Sequence, residues 1–140
     1  AEMKEPWLLM QYCAGDERSV DCVAHNGHLG DAVIRRKRSG GVQEIECNEE
    51  IMGYVATLVK KFKLSGLVNV QFKEHDGLMN ILEINPRASG GSGMAYLANA
   101  QLMPLAVESF LTGKVVRSSQ ALPYGMKIQK TQKKQKKIAR

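Results

Sequence analysis

Two dipeptides, Asn26-Gly27 and Asp76-Gly77, constrain this chain more than any other feature. Each lies between segments of alternating hydrophobicity, and each pair tolerates the positive φ angles that a tight antiparallel turn demands. Residues 18–25 alternate, with Val20, Cys22 and Ala24 on one face and Ser19, Asp21 and Val23 on the other. Residues 29–37 return as the partner strand. Residues 67–74 and 78–85 form a second hairpin. Between the two, residues 48–64 place Ile51, Met52, Val55, Leu58, Val59 and Phe62 at helical spacing. Asn48 is the expected N-cap, Glu49 and Glu50 suit the first turn, and Lys60, Lys61 and Lys63 suit the end of that helix. Ser65-Gly66 stops it. The fold class expected is α+β, an antiparallel sheet with helices packed on it.

The remaining segments fill in around this frame. Residues 7–12 are a continuous apolar run and read as a buried strand, followed by a turn at Gly15-Asp16. Residues 38–41 read as a flexible loop and residues 86–93 as a loop dense in small side chains. Residues 94–102 read as a helix, and Pro104 opens another that runs to Gly113. Pro123-Tyr124-Gly125 is a break.

Charge needs care, because the net +6 of the 140-residue chain is unevenly placed. The last 14 residues carry seven of the 20 bases and no acid, which leaves 13 bases against 14 acids, a body of net −1. The basicity belongs to a tail. No run of 18 apolar residues occurs, so no membrane span is expected, and the polar start does not read as a signal peptide. Cys13, Cys22 and Cys47 are odd in number, with spacings that suit neither a zinc site nor a disulfide framework; reduced thiols and a cytoplasmic location are expected.

The sharpest chemical feature is Glu83-Ile84-Asn85-Pro86-Arg87. Residues two apart on a strand share a face, about 6.6 Å apart along it, so Glu83 and Asn85 aim oxygens at one place. A carboxylate beside an amide carbonyl is hard-oxygen chemistry that suits Mg²⁺, and Arg87 adds planar donors that match phosphate oxygens. Gln71 on the neighbouring strand is the natural third member, provided the hairpin loop holds an odd number of residues. A three-residue loop, His75-Asp76-Gly77, is therefore expected, with Gly77 left-handed as in a bulged hairpin. Ser89-Gly90-Gly91-Ser92-Gly93 precedes a helix that Ser92 would cap, and its amides suit an acyl phosphate or an acceptor carboxylate.

These residues resemble the C-terminal half of an ATP-grasp domain, closest to the carbamoyl-phosphate synthetase large-subunit type and related carboxylate–amine ligases. The resemblance runs from Trp7 through Arg87 to Gly113, about four fifths of the chain, with its motifs in the expected order. It implies that Leu9-Met10-Gln11-Tyr12 leads into the adenine hinge, where Gln11, Tyr12 and the Cys13 backbone meet the base. Within Gly15-x-Glu17-x-Ser19-Val20-Asp21, it gives Glu17 the ribose hydroxyls. Gln71 becomes the first metal ligand, Glu83 the bridging ligand, Asn85 the second ligand, and Arg87 the phosphate-binding, catalytic arginine. Arg35 or Arg36 would line the substrate side, with Ser89, Gly90, Gly91 and Ser92 as the substrate loop.

The implied mechanism places two Mg²⁺ ions, for which Mn²⁺ can substitute, on the phosphates of ATP. A small-molecule carboxylate attacks the γ-phosphorus and an amine captures the acyl phosphate. By the same resemblance, residues 1–126 are half of a nucleotide-binding unit. Its missing N-terminal lobe, with strand lysines and a glycine-rich loop, is to be found in the same or a partner chain, and a homo-oligomer is allowed. Residues 127–140 are a basic tail that extends a last strand before becoming disordered. A fragment of a longer enzyme, one subunit of a split enzyme and a non-catalytic nucleotide-binding remnant all agree with this reading.

Two lesser features have plainer accounts. His25 and His28 flank a turn near Cys22, without the wider cluster a transition metal needs. A tail-based nucleic-acid module is the third class of function, but no aromatic residue is interleaved among the bases to stack on nucleobases, and nucleic acid is not expected as a partner.

Overall fold

A computed structural model describes residues 9–129. Six strands form one sheet in the order β5-β4-β1-β2-β3-β6, every neighbouring pair antiparallel. The strands are β1 (Glu17–His25), β2 (His28–Lys37), β3 (Val42–Glu46), β4 (Gly66–His75), β5 (Leu78–Asn85) and β6 (Lys127–Gln129). Three helices pack on the sheet: α1 (Glu49–Lys61), α2 (Ser92–Leu97) and α3 (Leu102–Thr112). This is the α+β arrangement expected from the two hairpins.

Both turn dipeptides make two-residue turns, with positive φ at Asn26 (47°), Gly27 (82°), Asp76 (51°) and Gly77 (77°). The three-residue loop expected at His75 is thus corrected: His75 pairs with Leu78 inside the ladder. A two-residue turn alone would send Gln71 and Glu83 to opposite faces. A bulge restores them. Phe72 pairs with Ile81 but Gln71 pairs with Glu83, so Leu82 is the extra residue of β5.

The alternation of β1 separates two cores. Val20, Cys22 and Ala24 face α1, where they join Ile34, Val68, Val70 and Phe72 against Ile51, Val55 and Val59. Helix α1 forms as read: the Asn48 side chain accepts from the Ile51 amide at 3.0 Å, and Glu49 and Glu50 fill the first turn. On the other face, Val23, Val33 and Ile45 pack against Ala95, Ala98, Ala100, Leu102 and Leu105 of the α2–α3 segment.

Several local expectations are overturned. Residues 9–12 form no strand; Leu9 is 98% and Tyr12 79% exposed, while Trp7 and Leu8 lie outside the described residues. A strand needs a partner edge, and among the described residues the first pairing with the sheet comes where the Gly15 amide donates to Glu74 O at 3.0 Å. Ser92 is not a cap: Gly91 holds the N-cap position of α2 without a side-chain hydrogen bond. The helix expected over residues 94–102 breaks after Leu97, where Asn99 turns left-handed (φ 62°), and α3 starts anew at Leu102. Strand β3 follows directly on a single 3-10 turn over residues 39–41. Strand β6 carries the first residues of the basic tail into the sheet beside β3; residues 130–140 are outside the described part. Among the described residues no helix is long and apolar enough to cross a membrane.

Candidate functional site

The candidate site occupies one half of one sheet face, and strand register builds it. Glu83 pairs with Gln71, Gln71 with Ser19, and Ser19 with Arg35, giving a row of four side chains across β5, β4, β1 and β2. The next row runs Asn85, Asn69, Asp21 and Val33. Toward Val23 and Val33 this face is covered by α2 and α3. Toward Glu83, Gln71 and Glu17 it is open, and Glu17 pairs in register with Lys73. One face thus serves as core at one end and as a polar platform at the other.

Gln71, Glu83 and Asn85 come together. The Gln71 Nε2 and Asn85 Nδ2 amides donate to the same carboxylate oxygen, Glu83 Oε1, at 2.7 and 2.8 Å. Two donors on one oxygen fix the carboxylate's direction. The donor set is one carboxylate and two amides, all offering hard oxygens, which fits Mg²⁺. Among the described residues no group of three or more His, Cys, Asp and Glu is placed to hold a metal ion, and His25 and His28 pair across their turn.

The other expected residues divide. Arg87 lies exposed in the turn after β5, its Nη1 donating to Ala88 O at 3.1 Å. Gln11 and Tyr12 are exposed and Cys13 half-buried, in an extended segment that joins the sheet at Gly15. Glu17 opens β1 and is ion-paired with Lys37. Arg35 and Arg36 point to opposite faces, as neighbours on a strand must. Arg36 therefore faces away from Gln71 and Glu83. It donates to Asp16 at 2.7 Å in a cluster on the far face. There Arg38 reaches Asp16 (3.0 Å) and Glu44 (2.8 Å), and Arg18 reaches Glu46 (3.2 Å) and Glu74 (2.6 Å). The hydrogen bond from Arg36 holds the Asp16 carboxyl below its usual range, and that from Arg38 does the same for Glu44. Burial alone would lower the Arg18 pKa, but its bonds to Glu74 and Glu46 outweigh this and raise it.

Beneath the platform lies a buried polar network that motif reading missed. Arg35 is 1% exposed and bonds Asp21, Ser19, Ser89 and Gln43. Asn69 donates to Asp21 Oδ1 at 2.9 Å and to Ser19 Oγ at 2.9 Å. The signal was in the sequence: Asn69 interrupts the apolar run Val68-Asn69-Val70, and Ser19 and Asp21 oppose three apolar neighbours on β1. A buried polar residue in such a setting requires partners. The glycine-rich turn lies over this network. Its Gly91 amide donates to Ser89 Oγ (3.1 Å) and its Ser92 amide to Ser89 O (3.2 Å), so these two donors are spent within the turn. A cleft of about 300 Å³ remains between Gly90, Gly91, Gln71, Lys37 and Gln43.

Comparison with known proteins bears on the family and the fold. A family model described as ATP-grasp in the biosynthetic pathway with Ter operon matches residues 3–134. The carbamoyl phosphate synthase large chain of Clostridium perfringens (strain SM101) is 26% identical over 120 residues, covering 74% of this chain and 11% of that one. Its counterpart from Clostridium beijerinckii is 25% identical over 148 residues, covering 92% and 13%. The chain thus spans about a tenth of the length of these relatives. In structure, the L-amino acid ligase from Bacillus licheniformis superposes with a TM-score of 0.52 at 18% identity, over 71% of this chain and 30% of that one. N5-carboxyaminoimidazole synthetase from Staphylococcus aureus gives 0.50 at 16%, over 80% and 32%. These two likenesses concern the fold. The family model, matched over nearly the whole sequence, settles the membership: this chain belongs to the ATP-grasp family.

Proposed function

We propose that the chain supplies the metal- and phosphate-facing half of an ATP-dependent ligase that joins a carboxylate to an amine. One observation carries the reading: Gln71, Glu83 and Asn85 converge on an open stretch of sheet, with both amides orienting the single carboxylate. Gln71, Glu83 and Asn85 would together hold Mg²⁺, two ions in this reading, through their oxygens; Mn²⁺ suits the same oxygens. Bound there, the metal and ATP supply the phosphoryl group and neutralise its charge. With one carboxylate in the set, metal binding depends strongly on the nucleotide's own oxygens.

The chain's own residues do the rest. Arg87 offers planar donors to a phosphate oxygen from the exposed turn after β5. Gln11, Tyr12 and the Cys13 backbone take the adenine, and Glu17 exchanges Lys37 for the ribose hydroxyls. In the reaction class proposed, a carboxylate oxygen bonds to the γ-phosphorus as ADP leaves. The amine nitrogen then bonds to the acyl carbon as phosphate leaves, and the nitrogen gives up a proton. Small carboxylates and amines are the substrates, and a companion lobe with phosphate-gripping lysines completes the site.

The test begins with Mn²⁺ and ATP titrated into the chain, read by paramagnetic broadening at Ile84 between the two β5 ligands. Glu83→Gln is expected to weaken Mn²⁺-ATP by at least the roughly 10- to 100-fold that loss of even an outer-shell partner of a metal ligand costs. Unchanged affinity in a folded Glu83→Gln variant removes the metal assignment. For the polypeptide that includes the companion lobe, ADP release should depend on an added carboxylate and amine. Binding without ADP release would leave nucleotide binding alone as the function.

A further inference from the structure

Arg35 was expected to face a substrate, yet its guanidinium is enclosed. Its Nη2 donates to Asp21 Oδ2 at 2.6 Å, Ser89 Oγ at 2.7 Å and Ser19 Oγ at 3.1 Å, and Nη1 donates to Gln43. Ser89 Oγ in turn donates to Asp21 Oδ2 at 2.9 Å and accepts from the Gly91 amide. A serine hydroxyl has one donor and two acceptor positions, and all three are filled. The Ser89 side chain has no capacity left for a ligand. Gly91 is pressed onto the same guanidinium, since a Cβ there would stand 1.9 Å from Arg35 Nη1. Only a residue without a side chain permits that approach.

The network continues toward the candidate metal ligands. Asp21 Oδ1 accepts from Asn69, Asn69 Oδ1 accepts from Gln71 Nε2 at 3.3 Å, and that same nitrogen donates to Glu83. A hydrogen-bonded path therefore links the glycine-rich turn to the carboxylate. Burying an Arg–Asp pair gains little net stability over an apolar pair of the same shape, so its role is better sought in what it holds in place.

We propose that Arg35 is a positioning residue: anchored by Asp21, it clamps the turn of residues 89–91 to the sheet and so sets that turn's place relative to Glu83, without touching a substrate. The functional meaning rests on the metal reading of Gln71, Glu83 and Asn85; the clamp itself does not.

The experiment uses the full chain in three forms: wild type, Ser89→Ala, and the double variant Asp21→Asn/Arg35→Met, which leaves no unpaired buried charge. Amide exchange is followed at Met94, whose N–H reports the turn by donating to Gly91 O, and at Val70 in the core. Mn²⁺ with ATP serves as the probe, through its broadening of Gly90 and Ile84. Both variants should raise Met94 exchange about tenfold, as local opening without global unfolding does, while Val70 holds. Broadening at Gly90 should fall while that at Ile84 persists, a signature that general loss of stability would not give. Unchanged Met94 exchange and Gly90 broadening in Ser89→Ala overturns the clamp, as does faster exchange at Val70 in step with Met94. Absence of broadening at Ile84 in the wild type defeats the metal reading instead, and Met94 exchange then decides the clamp by itself.

Discussion

At the scale of single residues, burial decides which side chains can act. Cys22 lies in the core under α1, and burial, with the Asp21 charge adding to it, pushes its thiol up to about 12. Cys47 is exposed and Cys13 half-buried. Alkylation at pH 8 followed by mass spectrometry should therefore label Cys47 first and leave Cys22 unmodified until the protein unfolds, because the thiolate is the reactive form. The site follows the same logic. Glu83 and Arg87 stand at the surface where a ligand can reach them, whereas Ser89 and Arg35, equally polar in the sequence, are consumed by internal hydrogen bonds.

At the scale of elements, caps and register matter more than composition. Asn48→Ala removes the bond to the Ile51 amide and should cost about 1 kcal/mol, measurable in a urea titration. The bulge at Leu82 offers a stronger test of the site. Deleting Leu82 would remove the extra residue and leave Glu83 directly opposite Gln71 in an unbroken two-residue-turn register, so the pairing survives while the bulge is lost. The deletion variant should keep the sheet, judged by circular dichroism, and hold Mn²⁺-ATP affinity far closer to wild type than Glu83→Gln does. Lost affinity would show that the bulge itself, and not the pairing of Gln71 with Glu83, aims the carboxylate. Here sequence reading reached the right neighbours through the wrong turn: Gln71 and Glu83 share a face, but the odd residue sits in β5 and not in the loop.

At the scale of the whole molecule, the far face of the sheet ties its strands together through charge. Asp16 and Glu44, with carboxyls held low by Arg36 and Arg38, join the start of β1 to β2 and β3. A carboxyl whose folded pKa lies below its unfolded value gives stability that is present above the unfolded value, near 3.8 for Asp16, and is lost as pH falls through the folded one. The midpoint of thermal unfolding should thus drop between pH 5 and pH 3, roughly the window in which such groups titrate. Asp16→Asn should flatten that drop. Because these groups are partly exposed, 1 M salt should shrink the effect.

The sequence by itself determined the strand pairs, helix α1 and the motif on β5. Asn-Gly and Asp-Gly turns, a period of two and an Asn cap act within a few residues, so their physics is local. It also disclosed the family through the order of those motifs. Tertiary structure alone decided three matters. It placed the bulge, which depends on how β4 and β5 settle against Phe72 and α1. It left residues 9–12 exposed, since an apolar run becomes a strand only where an edge accepts it. And it buried Arg35 beneath Gly91, a contact across 56 residues in which a guanidinium that could bind a ligand instead meets Asp21 and Ser89. Whether a polar side chain serves a ligand or the fold is set by which partners reach it first, and those partners are distant in sequence.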